Sequence, residues 1–139
     1  MVKVITGPKG TGKTKQMVRM ANDMIETSHG SIVFINKDQR LMYDLKYQIR
    51  VVCMEEYPQI TNIDEYIGFI FGIISSDHDI EAIFIDSILK FANIDIEDLK
   101  DFLDRLKGIS MEHDLDFYVS ISATREDLGK AIDGCEILN

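Results

Sequence analysis

A chain of 139 residues, 45% hydrophobic and 28% charged, carries enough apolar material to pack one domain, 1–139, without metal or disulfide staples. Its net charge of −9, from 15 basic and 24 acidic residues, disfavours a non-specific grip on nucleic-acid phosphates, which needs clustered Lys and Arg. No apolar run approaches the roughly 20 residues of a membrane span, and the two cysteines, Cys53 and Cys135, lack metal-ligand spacing and suit a reducing, cytoplasmic setting.

Val2-Lys-Val-Ile-Thr6 reads as a buried strand of a parallel sheet, so early in the chain that no cleavable leader is expected. Gly7-Pro-Lys-Gly-Thr-Gly-Lys13-Thr14 follows. This is the pattern G-x-x-x-x-G-K-T between a strand and a helix, and that context turns a motif match into a structural claim. Gly7, Gly10 and Gly12 let the backbone wrap closely around an anion, where a β-carbon obstructs the turn or forces φ into a costly region. The loop through Gly7, Pro8, Lys9, Gly10, Thr11 and Gly12 into Lys13, Thr14 and Lys15 points its N–H groups at phosphates, aided by the positive end of the helix. In this pattern Lys13 reaches the β- and γ-phosphates, and the Thr14 hydroxyl ligates Mg²⁺. Lys9 and Lys15 flank the loop and raise the local positive potential. A nucleoside triphosphate is the expected ligand.

A helix over about 13–28 carries Met17, Met20, Ala21, Met24 and Ile25 at helical spacing, and Gly30 is expected as its left-handed cap. Ser31–Asn36 is a second buried strand. Residues 37–48 are mixed and polar, with a short helix around 41–45, and 49–54 form a third strand before the turn at Pro58. Asn62 with Glu65 resembles a capping box ahead of the apolar stripe Ile63, Tyr66, Ile67, Ile70, Phe71 and Ile74. Asp77-His-Asp79 reads as a helix-exit turn rather than a metal site. Residues 82–86 are a fourth strand, 95–113 an amphipathic helix whose first-turn acids suit its positive end, and 117–122 a fifth strand. The tail from Ala123 has room for a helical turn or an edge strand. Strands alternating with helices imply an α/β fold, a mostly parallel five-stranded sheet with helices on both faces. Ligands bind such sheets beyond the carboxyl ends of the strands, where Thr6, Asn36 to Asp38, Glu55, Glu56, Asp86 and Ser122 all fall.

Ala82-Ile-Phe-Ile-Asp86 is an apolar run ending in aspartate, the form of the second nucleotide motif of P-loop proteins. Mg²⁺ is a hard cation that keeps several waters and takes a carboxylate directly or through water, so Asp86 joins Thr14 as a metal-site candidate. With both motifs the chain resembles the P-loop NTPase superfamily, in particular its compact RecA-like ATPase cores, over roughly residues 2–125. The resemblance implies one strand between the two motif strands. It makes Val119-Ser-Ile-Ser122 a sensor strand whose terminal polar residue, Ser122, touches the γ-phosphate or the attacking water. It places the catalytic acid at Asp38, after the second strand. Many relatives carry a glutamate directly after the Mg²⁺ aspartate, whereas this chain has Ser87. A water-orienting carboxylate must therefore come from Asp38 or from its competitors Glu55 and Glu56. Arg125, beyond the sensor strand, is a surface arginine or an arginine finger.

These features point to a small cytoplasmic ATP-binding protein, with ATP and Mg²⁺ as cofactors and slow Mg²⁺-dependent hydrolysis. The alternative from another class is an interaction module that binds the nucleotide without significant hydrolysis. A small-molecule or nucleoside kinase is a third reading, but it needs an Arg-rich lid, and the chain has five arginines. Expected partners are ATP and a protein or a second copy of the chain, with nucleic acid disfavoured by the charge and no membrane. ATP is preferred to GTP because Asn36-Lys-Asp38 lacks the spacer of the guanine-reading motif and lies early.

Overall fold

The computed structural model describes residues 1–91 and 94–139. Six strands, β1 (Val2–Thr6), β2 (Ser31–Asn36), β3 (Arg50–Cys53), β4 (Ile80–Ile85), β5 (Asp116–Ile121) and β6 (Glu136–Ile137), are joined by helices α1 (Lys13–Thr27), α2 (Ile63–Ser76), α3 (Ile88–Phe91), α4 (Ile96–His113) and α5 (Arg125–Leu128). The strands form one sheet in the order β3-β2-β4-β5-β1-β6 with every pairing parallel. One strand, β5, separates β1 from β4.

Alternation along the strands divides the core into two layers. Val33 and Ile35, Ile83 and Ile85, and Phe117, Val119 and Ile121 face the layer that holds α2 and α4. Ile32, Phe34, Ala82, Phe84 and Tyr118 face the other layer, with Met17 and Ala21 of α1 and with Leu45 and Ile49. Both faces of the sheet are covered, which is why the strands read as nearly continuous apolar runs. Across the α1 side runs a row of register partners. Phe34 stacks on Phe84 at 5.6 Å and Phe84 on Tyr118 at 4.5 Å. The Lys3 ammonium lies 5.0 Å from the Tyr118 ring centre. On the far side Tyr66 meets Phe102 edge to face at 5.7 Å.

Three expectations need correction, and one helix was not anticipated. The sheet has six strands rather than five. β6 is two residues long, too short for a periodic signal, and it is held by the pairs Lys3↔Glu136 and Val4↔Ile137. Residues 41–45 form turns rather than a helix. There Asn22 of α1 takes over polar backbone groups, donating to Asp44 O at 2.9 Å and accepting from Lys46 N–H at 2.9 Å. Gly30 has no left-handed φ. What requires glycine is a close approach, because a Cβ there would lie 2.1 Å from Asp79 O. Finally, α3 follows β4 almost at once, a single turn that no amphipathic period announces.

Phe84 is fully buried between two stacked rings. Phe84→Ala is expected to lower unfolding free energy by about 3–5 kcal/mol through lost transfer energy and a cavity. Urea denaturation of the two proteins measures this.

Candidate functional site

A cleft of about 420 Å³ opens at the carboxyl ends of the strands, lined by the phosphate loop on one side and the segment after β2 on the other. Three glycines shape the loop. Gly10 and Gly12 have φ of 84° and 85°, so at these positions the backbone conformation would strain any side chain. At Gly7 (φ 145°) a Cβ would also meet Thr11 Oγ1 at 2.9 Å. The Thr11 hydroxyl instead donates to Pro8 O at 2.7 Å, and Gly7 N–H donates to Ala123 O at 2.9 Å.

Helix α1 begins differently from the chain's other long helices. α2 and α4 have side-chain caps, Asn62 and Asp95, and acids in their first turns. α1 is capped by left-handed Gly12, with no side-chain hydrogen bond and no acid in its first turn. Its orphan N–H groups and positive dipole end are left for an outside anion.

The Lys13 side chain folds back over the loop, donating to Gly7 O and Pro8 O at 2.8 Å each. Burial lowers its pKa, opposed by the nearby Asp86 carboxylate. Asp86, buried at the end of β4, accepts from the Thr14 hydroxyl at 3.0 Å and from Ser120 Oγ at 2.6 Å. Ser120 Oγ in turn accepts Ser87 N–H at 2.8 Å, and Ser87 holds a left-handed φ of 60°. The order β4-β5-β1 makes this possible, since β5 carries Ser120 between the two motif strands. A hydroxyl beside one buried carboxylate suits Mg²⁺, which takes one or two carboxylates and relies on substrate phosphates for the rest. Among the described residues, no group of three or more His, Cys, Asp or Glu is arranged to hold a metal by itself.

The cleft lining brings together Lys9, Gly10, Gly12, Lys13, Thr14, Lys15, Asp86 and Ser122, and leaves out Gly7, Pro8, Thr11 and Asp38. Asp38 spends both oxygens on Arg40, accepting its backbone N–H at 3.0 Å and its Nε at 2.8 Å. Glu55 and Glu56 are exposed and outside the lining, Glu56 accepting from Gln39 Nε2 at 2.9 Å. Arg125 is exposed at the start of α5, also outside it. Sequence reasoning missed two residues. Ser120 shares a strand face with Ser122, and that i, i+2 spacing was its signal. Arg40 had none, since only the fold brings it to the cleft.

The fold and this cleft define the class of protein, a P-loop NTPase. A family model described as RNA helicase matches residues 3–80, more than half of the chain. The chain belongs to the RNA helicase family. The match spans the phosphate loop, α1 and the segment after β2, and ends before Asp86. No curated protein matches the chain.

Lys13→Ala is expected to weaken ATP binding by about 1.5–3 kcal/mol, the scale of a hydrogen bond to a charged group. Asp86→Asn is expected to remove the gain in nucleotide affinity that Mg²⁺ brings while preserving the fold, since it keeps shape and removes charge. Calorimetry with and without Mg²⁺ measures both, and unchanged affinity in Lys13→Ala would exclude the loop as the site.

Proposed function

We propose that the chain is a slow nucleoside-triphosphatase using ATP and Mg²⁺, one nucleotide-binding domain over residues 1–139 working in the cytoplasm. The observation that carries this reading is the Thr14–Asp86 hydrogen bond at the uncapped end of α1. In this proposal Lys13 exchanges its two carbonyl partners for β- and γ-phosphate oxygens, while loop N–H groups offset the charge that develops there. Thr14 would offer an oxygen lone pair to the metal while its hydroxyl goes on donating its hydrogen bond to Asp86. Thr14 and Asp86 would hold Mg²⁺, which when bound would neutralise phosphate charge. Ser122, in the cleft lining, would meet the γ-phosphate or the water.

Slow turnover follows from the carboxylates. Ser87 stands where many relatives have glutamate, Asp38 is committed to Arg40, and Glu55 and Glu56 lie outside the cleft lining. The same facts favour a second reading, a module that signals ATP to a protein partner or a second copy without significant hydrolysis.

Membership of the RNA helicase family makes RNA a partner class to test, which net charge alone had disfavoured. The surface that fits it is the stretch 37–50. Tyr43 and Tyr47 are 94% and 92% exposed there, among Lys37, Arg40, Lys46 and Arg50. Rings that stack on bases and cations that track phosphates are what single-stranded RNA needs.

Phosphate release is expected to be slow, Mg²⁺-dependent and absent in Lys13→Ala. The assay is run with and without single-stranded RNA. A wild-type rate equal to that of Lys13→Ala in both conditions would replace the hydrolase with the binding module.

A further inference from the structure

The segment after β2 is held against the metal-site end of the cleft. β2 pairs directly with β4, and Asp86 N–H donates to Ile35 O at 3.0 Å. Residues 36–40 therefore flank Asp86 on the side opposite Ser120. Three contacts fix this turn. Buried Asn36 donates through Nδ2 to Asp38 O at 3.1 Å, Glu55 N–H donates to Lys37 O at 3.0 Å, and Asp38 grips Arg40 by backbone and side chain together. The double contact with Arg40 also holds the Asp38 carboxyl below its usual pKa, the backbone N–H contributing most.

Arg40 is arranged for something in the cleft. Its Nε is spent on Asp38, and its two terminal nitrogens make no hydrogen bond to the chain among the described residues. The side chain is 82% exposed, yet it lines the cleft together with Lys13, Thr14 and Asp86. An arginine whose stem is braced at Nε keeps a planar pair of donors, the geometry that matches phosphate oxygens. The loop amides and Lys13 line the α1 side of the cleft, and Arg40 comes from the opposite wall, on the segment after β2 that flanks Asp86.

We propose that Arg40, braced by Asp38, binds the terminal phosphate of the nucleotide and makes this site distinguish a triphosphate from a diphosphate. This rests on the nucleotide-site reading above and deepens it. It makes Arg40 a cation supplied in cis and Asp38 a positioning residue for that cation. Asp38 holds Arg40 through both of its oxygens and is itself outside the cleft lining, so it acts on the nucleotide through the arginine.

The test compares the wild type with Arg40→Ala, Arg40→Lys, Asp38→Asn and the double variant Asp38→Asn/Arg40→Ala. Each is titrated calorimetrically with a non-hydrolysable ATP analogue and with ADP, both with Mg²⁺. Arg40→Ala is expected to bind the analogue at least about tenfold more weakly, the scale of one hydrogen bond between charged groups, and ADP almost unchanged. Arg40→Lys should recover part of the loss. Asp38→Asn should shift the analogue alone and in the same direction, and the double variant should lose no more than Arg40→Ala, since the aspartate acts through the arginine. Equal losses for analogue and ADP, or no loss for either, would overturn the proposal. A slower hydrolysis in Asp38→Asn with normal analogue binding in Arg40→Ala would likewise overturn it and return Asp38 to the water. Failure of the underlying reading looks different: the wild type would bind neither nucleotide, or Lys13→Ala would bind both normally.

Discussion

The uncapped positive end of α1 is the constraint around which the rest is arranged. A side-chain cap stabilises a helix by about 0.5–2 kcal/mol, and α2 and α4 both take it. α1 forgoes it and begins instead from a left-handed glycine. In a chain with 24 acidic residues, keeping every acid out of that first turn is a specific requirement. Anything at that end has to be an anion from outside, and the glycine-shaped loop gives it room.

An uncapped helix end binds any anion, so selectivity comes from what surrounds it. In the proposed site Asp86 would do most of this. It is buried, and it is kept in place by donors from two other parts of the fold, Thr14 on α1 and Ser120 on β5. A carboxylate beside an anion site is unfavourable unless a cation stands between them, so the pair argues for a phosphate that arrives with a metal. The strand order makes the pair possible, since placing β5 between β1 and β4 lets a serine brace the aspartate and leaves the threonine to face the cleft.

The phosphate loop was legible because its chemistry is local. Eight consecutive residues between a strand and a helix specify it, and tertiary structure only orients it. Asp86 was legible for a related reason, as the polar end of an apolar run. Ser120, Arg40 and the strand Glu136–Ile137 were not, and each for a physical cause. Ser120 acts by hydrogen-bonding a residue 34 positions away, so its spacing from Ser122 gave its strand face but not its partner. Arg40 follows a strand whose neighbour in the sheet is set by topology. The last strand is stabilised by its partner rather than by any pattern of its own, with Leu138 N–H donating to Val4 O at 2.9 Å and Asn139 Oδ1 accepting Thr6 N–H at 3.1 Å. Asp38 shows the converse. Its position after the second strand matched a familiar pattern, whereas its contacts with Arg40 two residues on are made by the turn and leave no mark in that pattern.

Net charge misleads here for the same reason. At physiological salt the Debye length is about 8 Å, so exposed charges farther apart are largely screened from one another. The potential in the cleft is set by its own walls, where five cations, Lys9, Lys13, Lys15, Lys37 and Arg40, face two carboxylates, Asp44 and Asp86. No run of basic residues builds this patch. The loop supplies three of the cations and the segment after β2 the other two, and the sheet brings them together. A polyanion meeting this molecule would be repelled by its acidic faces and attracted at the carboxyl edge of the sheet. Acidic composition therefore narrows where phosphates bind without forbidding that they do. The stretch 37–50, which forms one wall of the cleft and carries the exposed tyrosines, is where a longer phosphate-bearing ligand and the nucleotide would act on the same residues.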